Sequence, residues 1–166
     1  MRPLRLDDEA AFVAGHKALA AEGFTFGLGY EPGMAWDKYT ERLAAWRVGV
    51  ALPDNFLPST FLVADVDGQI VGRTSIRHSI TNEFLAREGG HIGYCVLGEH
   101  RRRGYATEIL RQSLVVVRSI GVEGVLVTCD DDNVGSATVI ERCGGVLDST
   151  VVPDRGGIPI RRYWIR

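Results

Sequence analysis

The sequence predicts a mixed α/β (α+β) fold, one mixed sheet with flanking helices in the order β-α-α-β-β-β-α-β-α-β-β. Three observations predict it. The run Gly124-Val125-Leu126-Val127-Thr128-Cys129 is continuous, apolar and rich in β-branched residues, as a buried strand requires. The run His91 to Leu97 is also apolar, and it leads through an arginine-rich turn straight into a helical pattern. Upstream, two strand-like runs flank Asp67-Gly68, a dipeptide suited to a tight hairpin turn.

Taken in order, Leu4-Arg5-Leu6 is a short strand candidate. Asp7 or Asp8 can cap a helix that runs through Phe12, Val13 and Leu19 to Ala21 and stops at Gly23. Phe24 to Gly33, with its glycines and aromatic residues, reads as a loop. Residues 35–48 form a second helix, with Trp36, Tyr39, Leu43 and Trp46 at near-helical spacing and facing the core. Pro53, Asp54 and Pro58 open a loop. The hairpin strands are Thr60 to Asp65 and Gln69 to Ile80, and Thr81 to Gly90 is polar and loop-like. Next come the fourth strand, His91 to Leu97, a helix over 105–120, and the fifth strand, Gly124 to Cys129. The fourth and fifth strands, joined across that helix, would be a parallel pair with a right-handed crossover. Asn133 opens a short helix, Val146 to Val152 is a strand, and Ile158 to Ile165 is the last one.

The chain has 166 residues, enough for one domain over 1–166 with a substantial core. A formal charge of −2 gives no global pull toward nucleic acid or an anionic membrane, so neither is expected as a partner. Three consecutive arginines are too small a patch to reverse that. Cys95, Cys129 and Cys143 have no C-x-x-C spacing and read as reduced packing residues. No apolar run reaches membrane-spanning length, and the first residues do not resemble a secretory signal, so a cytoplasmic location is expected.

The chemistry concentrates between Ile92 and Gly145. Arg101-Arg102-Arg103-Gly104-Tyr105-Ala106 runs directly into the helix that begins Thr107-Glu108-Ile109. A glycine turn feeding a helix N-terminus aims several backbone N–H groups one way, with the helix dipole behind them, which suits a phosphate. It is neither a Walker A loop nor a dinucleotide fingerprint. Its R-x-x-G-x-A spacing resembles the acyl-CoA pyrophosphate loop of the GNAT N-acetyltransferase superfamily. Asn133-Val134-Gly135-Ser136 through Gly144-Gly145 resembles the second motif of that superfamily, an Asn that starts a short helix ending at Gly. More narrowly, Gly89 to Tyr94 and Arg161 to Ile165 are similar to bacterial acetyltransferases with no assigned acceptor.

The resemblance implies a GNAT-like acyl-CoA N-acyltransferase fold, with acetyl-CoA as cosubstrate, no metal, and a small-molecule or peptide amine as acceptor. It leaves room for a homodimer. Acetyl-CoA would lie where the fourth and fifth strands splay. Tyr94, Cys95, Val96 and Leu97 would face the pantetheine arm through their backbone. Arg102, Arg103, Gly104, Tyr105, Ala106 and Thr107 would hold the pyrophosphate, with Arg101 adding charge. Asn133 and Ser136 would stand beside the pantetheine. Gly104 permits close backbone approach, and Ala106 fills a slot that is often Gly.

The reaction implied is direct attack of a neutral primary amine on the thioester. An amine of pKa ~10 must first lose a proton. His91, at the start of the fourth strand, is the base candidate, with Glu88 and His78 as substitutes, while His100 belongs with the phosphate turn. The superfamily often places a Tyr seven residues after the motif Asn, and here that position is Ile140, which donates nothing. Tyr94 and Tyr163 are other hydroxyls, and a thiol of pKa ~8.5 can leave without a dedicated acid. A second reading is a GNAT-fold module that binds acyl-CoA without catalysis, as a sensor or scaffold. Asp130-Asp131-Asp132-Asn133-Val134-Gly135 nearly matches a calcium loop, but Val134 fills a ligand position. The cysteines and histidines lack zinc spacing.

Overall fold

A computed structural model describes residues 1–166. Helices α1 (Glu9–Ala20) and α2 (Trp36–Arg47) precede the hairpin β1 (Ser59–Val66) and β2 (Gln69–Arg77). Then follow β3 (Ile92–Val96), α3 (Tyr105–Ser119), β4 (Val125–Asp130), α4 (Val134–Arg142), β5 (Val146–Val151) and β6 (Ile160–Ile165). The strands form two three-stranded antiparallel sheets, ordered β1-β2-β3 and β4-β6-β5.

The parallel pair expected between the fourth and fifth strands is therefore not formed as a ladder. β3 spends one edge on β2 and β4 spends one edge on β6. Their facing edges meet at one place only. The His91 N–H donates to the Leu126 carbonyl at 2.7 Å, and the Leu126 N–H donates to His91 Nδ1 at 3.0 Å. Gly90 makes this approach possible. Its φ is +62°, and a Cβ there would stand 2.7 Å from the Leu126 carbonyl oxygen.

Three other expectations need correction. Leu4-Arg5-Leu6 is not a strand; the N-terminus makes one bridge, Arg2 to Val63, and Leu6–Asp8 is a 3-10 turn. Pro3 brings no N–H, and the Arg5 N–H is taken by the Asp8 carboxylate at 2.7 Å. Residues 81–90 are not wholly a loop, because Leu85–Gly89 is a π-helical turn. Asn82 Oδ1 accepts the Leu85 N–H at 2.8 Å and starts that turn. The returning strand also ends at Arg77 rather than Ile80, since the His78 N–H leaves the ladder for the Pro58 carbonyl at 2.8 Å.

Two large cores, with a small cluster of Ala64, Val71, Val96 and Ile109 beside them, hold the wedge in shape. Phe12, Phe26, Trp36, Tyr39, Trp46 and Phe61 fill the space between α1, α2 and one face of the first sheet. The other core joins Ile76 and Ile92 to α3, α4 and the second sheet through Leu110, Val127, Ile140 and Tyr163. The aromatic stripe of α2 thus faces the core, as its spacing predicts. Each fully buried Leu or Ile contributes about 1.5–3 kcal/mol of transfer free energy. No helix is long and apolar enough to cross a membrane.

Candidate functional site

The wedge between β3 and β4 opens into a cavity of about 280 Å³. Register decides what its β3 wall offers. The Arg77 N–H donates to the His91 carbonyl and the Leu97 N–H to the Val71 carbonyl. Alternation along an antiparallel pair then turns the N–H and C=O of Gly93 and Cys95 toward β2, and those of Ile92, Tyr94 and Val96 toward the wedge. The Tyr94 backbone is left with unpaired groups on an open edge, a template for an extended ligand.

At the open end, the turn over 98–104 leads into α3. Arg102 has φ +63° and Gly104 has φ +83°, two left-handed residues separated by one. None of the N–H groups of residues 102–107 has a backbone partner, and no side chain caps α3. Arg102, Arg103 and Gly104 are exposed. The result is a concave run of free donors at the positive end of a 15-residue helix. A Cβ on Gly104 would meet nothing within 4 Å, so within the protein the residue is required by its φ rather than by crowding. Arg101 is occupied elsewhere: Nε donates to the Val96 carbonyl at 3.2 Å, and Nη2 pairs with Glu22 at 2.6 Å. His100, on the same turn, lies 3.4 Å from Glu99.

One flank of the cavity belongs to β3, β4 and α4. Tyr94, Cys129, Asn133 and Ser136 line it. The Asn133 side-chain oxygen accepts the Ser136 N–H at 2.9 Å, which caps α4 and fixes both residues. The Tyr94 hydroxyl lies 2.9 Å from Ser136 Oγ. Burial pushes the Tyr94 phenol up to about 12, so it stays protonated near neutral pH. Burial likewise raises the Cys95 and Cys129 thiols, which stay thiols. The side chains of Val96 and Leu97 are buried in the cores. Val96 turns its backbone N–H to the wedge, but two of the expected pantetheine partners do not: the Leu97 N–H is spent on the Val71 carbonyl and its carbonyl on the His100 N–H, and the Cys95 backbone is turned to β2.

The opposite flank is made by Phe24, Arg73, Arg77, Glu88 and Gly89. Arg73 donates to the Gly93 carbonyl at 2.9 Å and to the Thr25 carbonyl at 2.6 Å. Arg77 donates to the Gly89 carbonyl at 3.3 Å. Glu88 sits on the π-helical turn, with its carboxylate accepting the Asp154 N–H at 3.3 Å.

The sequence-predicted site residues therefore divide. Tyr94, Asn133 and Ser136 meet in one flank, and residues 102–107 gather in the turn. His91 does not line the cavity. It is 5% exposed, with Nδ1 engaged by the Leu126 N–H. Burial holds its pKa below the usual histidine value, and the charge of Arg77 adds to that. His78 is held by Thr60 Oγ1 at 2.9 Å and also lies off the cavity. Tyr163 is a core residue whose hydroxyl donates to Glu141 at 3.2 Å. Ile140 is fully buried in the core beneath α3, away from the cavity wall. Sequence reasoning missed Arg73 and Arg77. Their one signal was weak: two arginines four residues apart, hence on one face, within an otherwise uncharged strand. No group of three or more His, Cys, Asp or Glu side chains converges as a metal site would need.

The acetyltransferase (GNAT) domain family model matches residues 1–146. No curated protein matches the sequence. Among solved structures, the fold is similar to that of the Mycobacterium smegmatis RimJ in complex with CoA-disulfide, at TM-score 0.69 and 22% identity over 99% of this chain and 79% of that one. It is similar to yncA of Salmonella typhimurium with its cofactor acetyl-CoA, at TM-score 0.68 and 13% identity over 99% and 91% of the two chains. A point mutant of the spermidine N-acetyltransferase SpeG from Vibrio cholerae gives 0.66 and 16%, over 99% and 92%. At these identities the likeness is one of fold.

Proposed function

Because this chain belongs to the GNAT acetyltransferase family, we propose that it transfers an acetyl group from acetyl-CoA to a primary amine by direct attack. The carrying observation is the wedge itself: an open β3 edge that leads to a turn of free N–H donors. The residues fit the cosubstrate chemically. The N–H groups of residues 102–107 form a concave anion seat for a pyrophosphate, with Arg102 and Arg103 exposed beside it. The unpaired Tyr94 N–H and C=O suit the amides of a pantetheine arm.

Acetyl-CoA would supply an activated acetyl thioester; overall a C–N bond forms, the C–S bond breaks, CoA leaves as its thiolate, and the amine proton goes to a carboxylate or a water. Within the wedge, backbone N–H groups of β3 stabilise the negative charge that develops on the carbonyl oxygen. The Tyr94 hydroxyl, steadied by Ser136, donates a hydrogen bond to the departing sulfur. With its pKa near 12 it assists by hydrogen bonding and does not give up its proton. Glu88, a carboxylate that lines the cavity, takes the amine proton through the oxygen that the Asp154 N–H leaves free, directly or through a water. His91 holds β3 to β4 and so sets the width of the wedge. Raised thiol pKa values at Cys95 and Cys129 favour direct transfer over an acyl-cysteine route.

Thiol release from acetyl-CoA, followed with a panel of primary amines, tests this reading. Amine-dependent release supports it. Acetyl-CoA binding with no release by any amine would instead support the sensor or scaffold reading.

A further inference from the structure

The flank built by β2 carries an unbalanced charge. Arg73, Ser75 and Arg77 alternate along β2 and so share one face of the strand. Arg73 is only 8% exposed, and its Nε has no hydrogen-bond partner. Ser75 is 2% exposed, and its hydroxyl has none either. Neither arginine belongs to any of the nine ion pairs of the protein. Their hydrogen-bond acceptors are the neutral carbonyls of Gly93, Thr25 and Gly89, and the Arg73 guanidinium also stands 5.1 Å from the centroid of the Phe24 ring, a contact that carries no counter-charge.

Guanidinium groups stay protonated, and a buried cation without a counter-charge is costly to hold. Arg73 is such a cation, and Arg77, half-buried, stands on the same strand face; both line the cavity. Gly93 keeps the space between them and β3 free. A Cβ at that position would stand 3.1 Å from Arg77 Nη1. The carboxylates that share the cavity do not neutralise the pair. Asp130 is exposed, and Glu88 is turned to the Asp154 N–H. This flank lies toward the joined end of the wedge, beside Gly89 and Gly93, whereas the free N–H donors lie at the open end. An anion received here is therefore a different group from one received by the turn.

Resting on the acetyltransferase reading, we propose that the acceptor amine itself carries a carboxylate, and that Arg73 and Arg77 receive it at the inner end of the wedge. A planar carboxylate matches the guanidinium fork. The cavity, at about 280 Å³, suits an acceptor no larger than an amino acid or the first residue of a peptide. The paired charges hold the acceptor with its amine directed along the β3 edge, where the thioester carbonyl is stabilised. A site built to satisfy buried donors rejects an analogue that leaves them unpaired.

The experiment compares matched acceptors: free amino acids against their α-amides and decarboxylated amines, and peptides beginning with Asp or Glu against those beginning with Asn or Gln. The acid members are expected to show kcat/KM roughly 10²-fold or more above their neutral partners. Which series shows the larger ratio tells a free amino acid from an acidic N-terminus. Arg77→Ala should bring the acid-to-neutral ratio close to one, and Arg77→Lys should recover part of it. The ratio is internal to each variant, so partial misfolding does not mimic the result. A binding arm covers an acceptor missing from the panel. With CoA present, N-acetylalanine should bind more tightly than N-acetylalanine amide, and Arg77→Ala should remove the difference. Equal kcat/KM for acids and amides, or equal affinity in the binding arm, overturns the proposal while leaving acetyl transfer intact. Preference for O-phosphoethanolamine over every carboxylate also overturns it. Failure to bind acetyl-CoA at all would instead sink the acetyltransferase reading.

Discussion

At its open end the β3/β4 wedge is made of backbone, and at its joined end it is made of side chains. The turn over 102–107 offers N–H groups whose direction follows from two left-handed residues and a helix start. The joined end depends on His91, Gly90, Arg73, Arg77 and Glu88, drawn from separate segments and brought together by the fold. Substitutions at the open end should alter cosubstrate affinity. Those at the joined end should alter chemistry, acceptor choice or the integrity of the wedge.

The largest effect that would sharpen this contrast is expected at Glu88. Glu88→Gln should lower kcat/KM by roughly 10²–10⁴-fold, the usual range for loss of a general base, with acetyl-CoA affinity retained. Steady-state rates across pH check it, and an unaltered pH–rate profile would assign the proton to another group. Next is Gly104→Val at the open end. A β-branched residue at φ +83° costs about 1–3 kcal/mol of strain or reshapes the turn. Calorimetry should show acetyl-CoA affinity falling by roughly 10-fold or more, well beyond the change from Arg102→Ala, because the donors are backbone. Equal losses in the two variants would shift the weight from backbone to side chain.

His91 separates structure from chemistry at the joined end. His91→Ala leaves the Leu126 N–H buried without an acceptor and should cost about 1–3 kcal/mol of stability. His91→Asn puts an oxygen near the Nδ1 position and should restore much of that, with kcat/KM close to wild type. A loss of roughly 10²-fold in the folded Asn variant would return His91 to the role of base. The same residue sets a pH dependence. Burial holds its pKa down in the folded state, so the unfolded chain takes up a proton first as pH falls. Its contribution to stability should be complete above about pH 6.5 and decline below it. His91→Asn should flatten that part of the melting profile. The smallest effect is expected at Ile140, which touches neither end. Ile140→Val should cost about 0.5–1.5 kcal/mol by denaturation, with activity unchanged.

Both the fold and the open end were legible because their signals are local. A Gly followed by a helical run, or an Asn three residues before a Ser N–H, acts within one turn of chain. From α1 onward the order of elements followed from apolar runs and turns in the same way. What could not be read depends on distant contacts. Whether β3 and β4 pair or part is decided by Gly90 against Leu126, which are 36 positions apart in the sequence. The burial of His91 and its engagement by that same N–H are likewise invisible in the order of residues. The π-helical turn over Leu85–Gly89 hides in a polar stretch that carries no period. Arg73 and Arg77 read as ordinary charges until the fold shows them unpaired.

On the proposed function, backbone at the open end seats the cosubstrate and the joined end is left to the acceptor. A crystal structure of the protein with acetyl-CoA tests it most directly. Pyrophosphate oxygens are expected within hydrogen-bonding distance of N–H groups of residues 102–107, the pantetheine amides paired with the Tyr94 backbone, and the Arg73–Arg77 flank free of the cosubstrate. A pyrophosphate seated on Arg73 and Arg77, with the turn untouched, would contradict it.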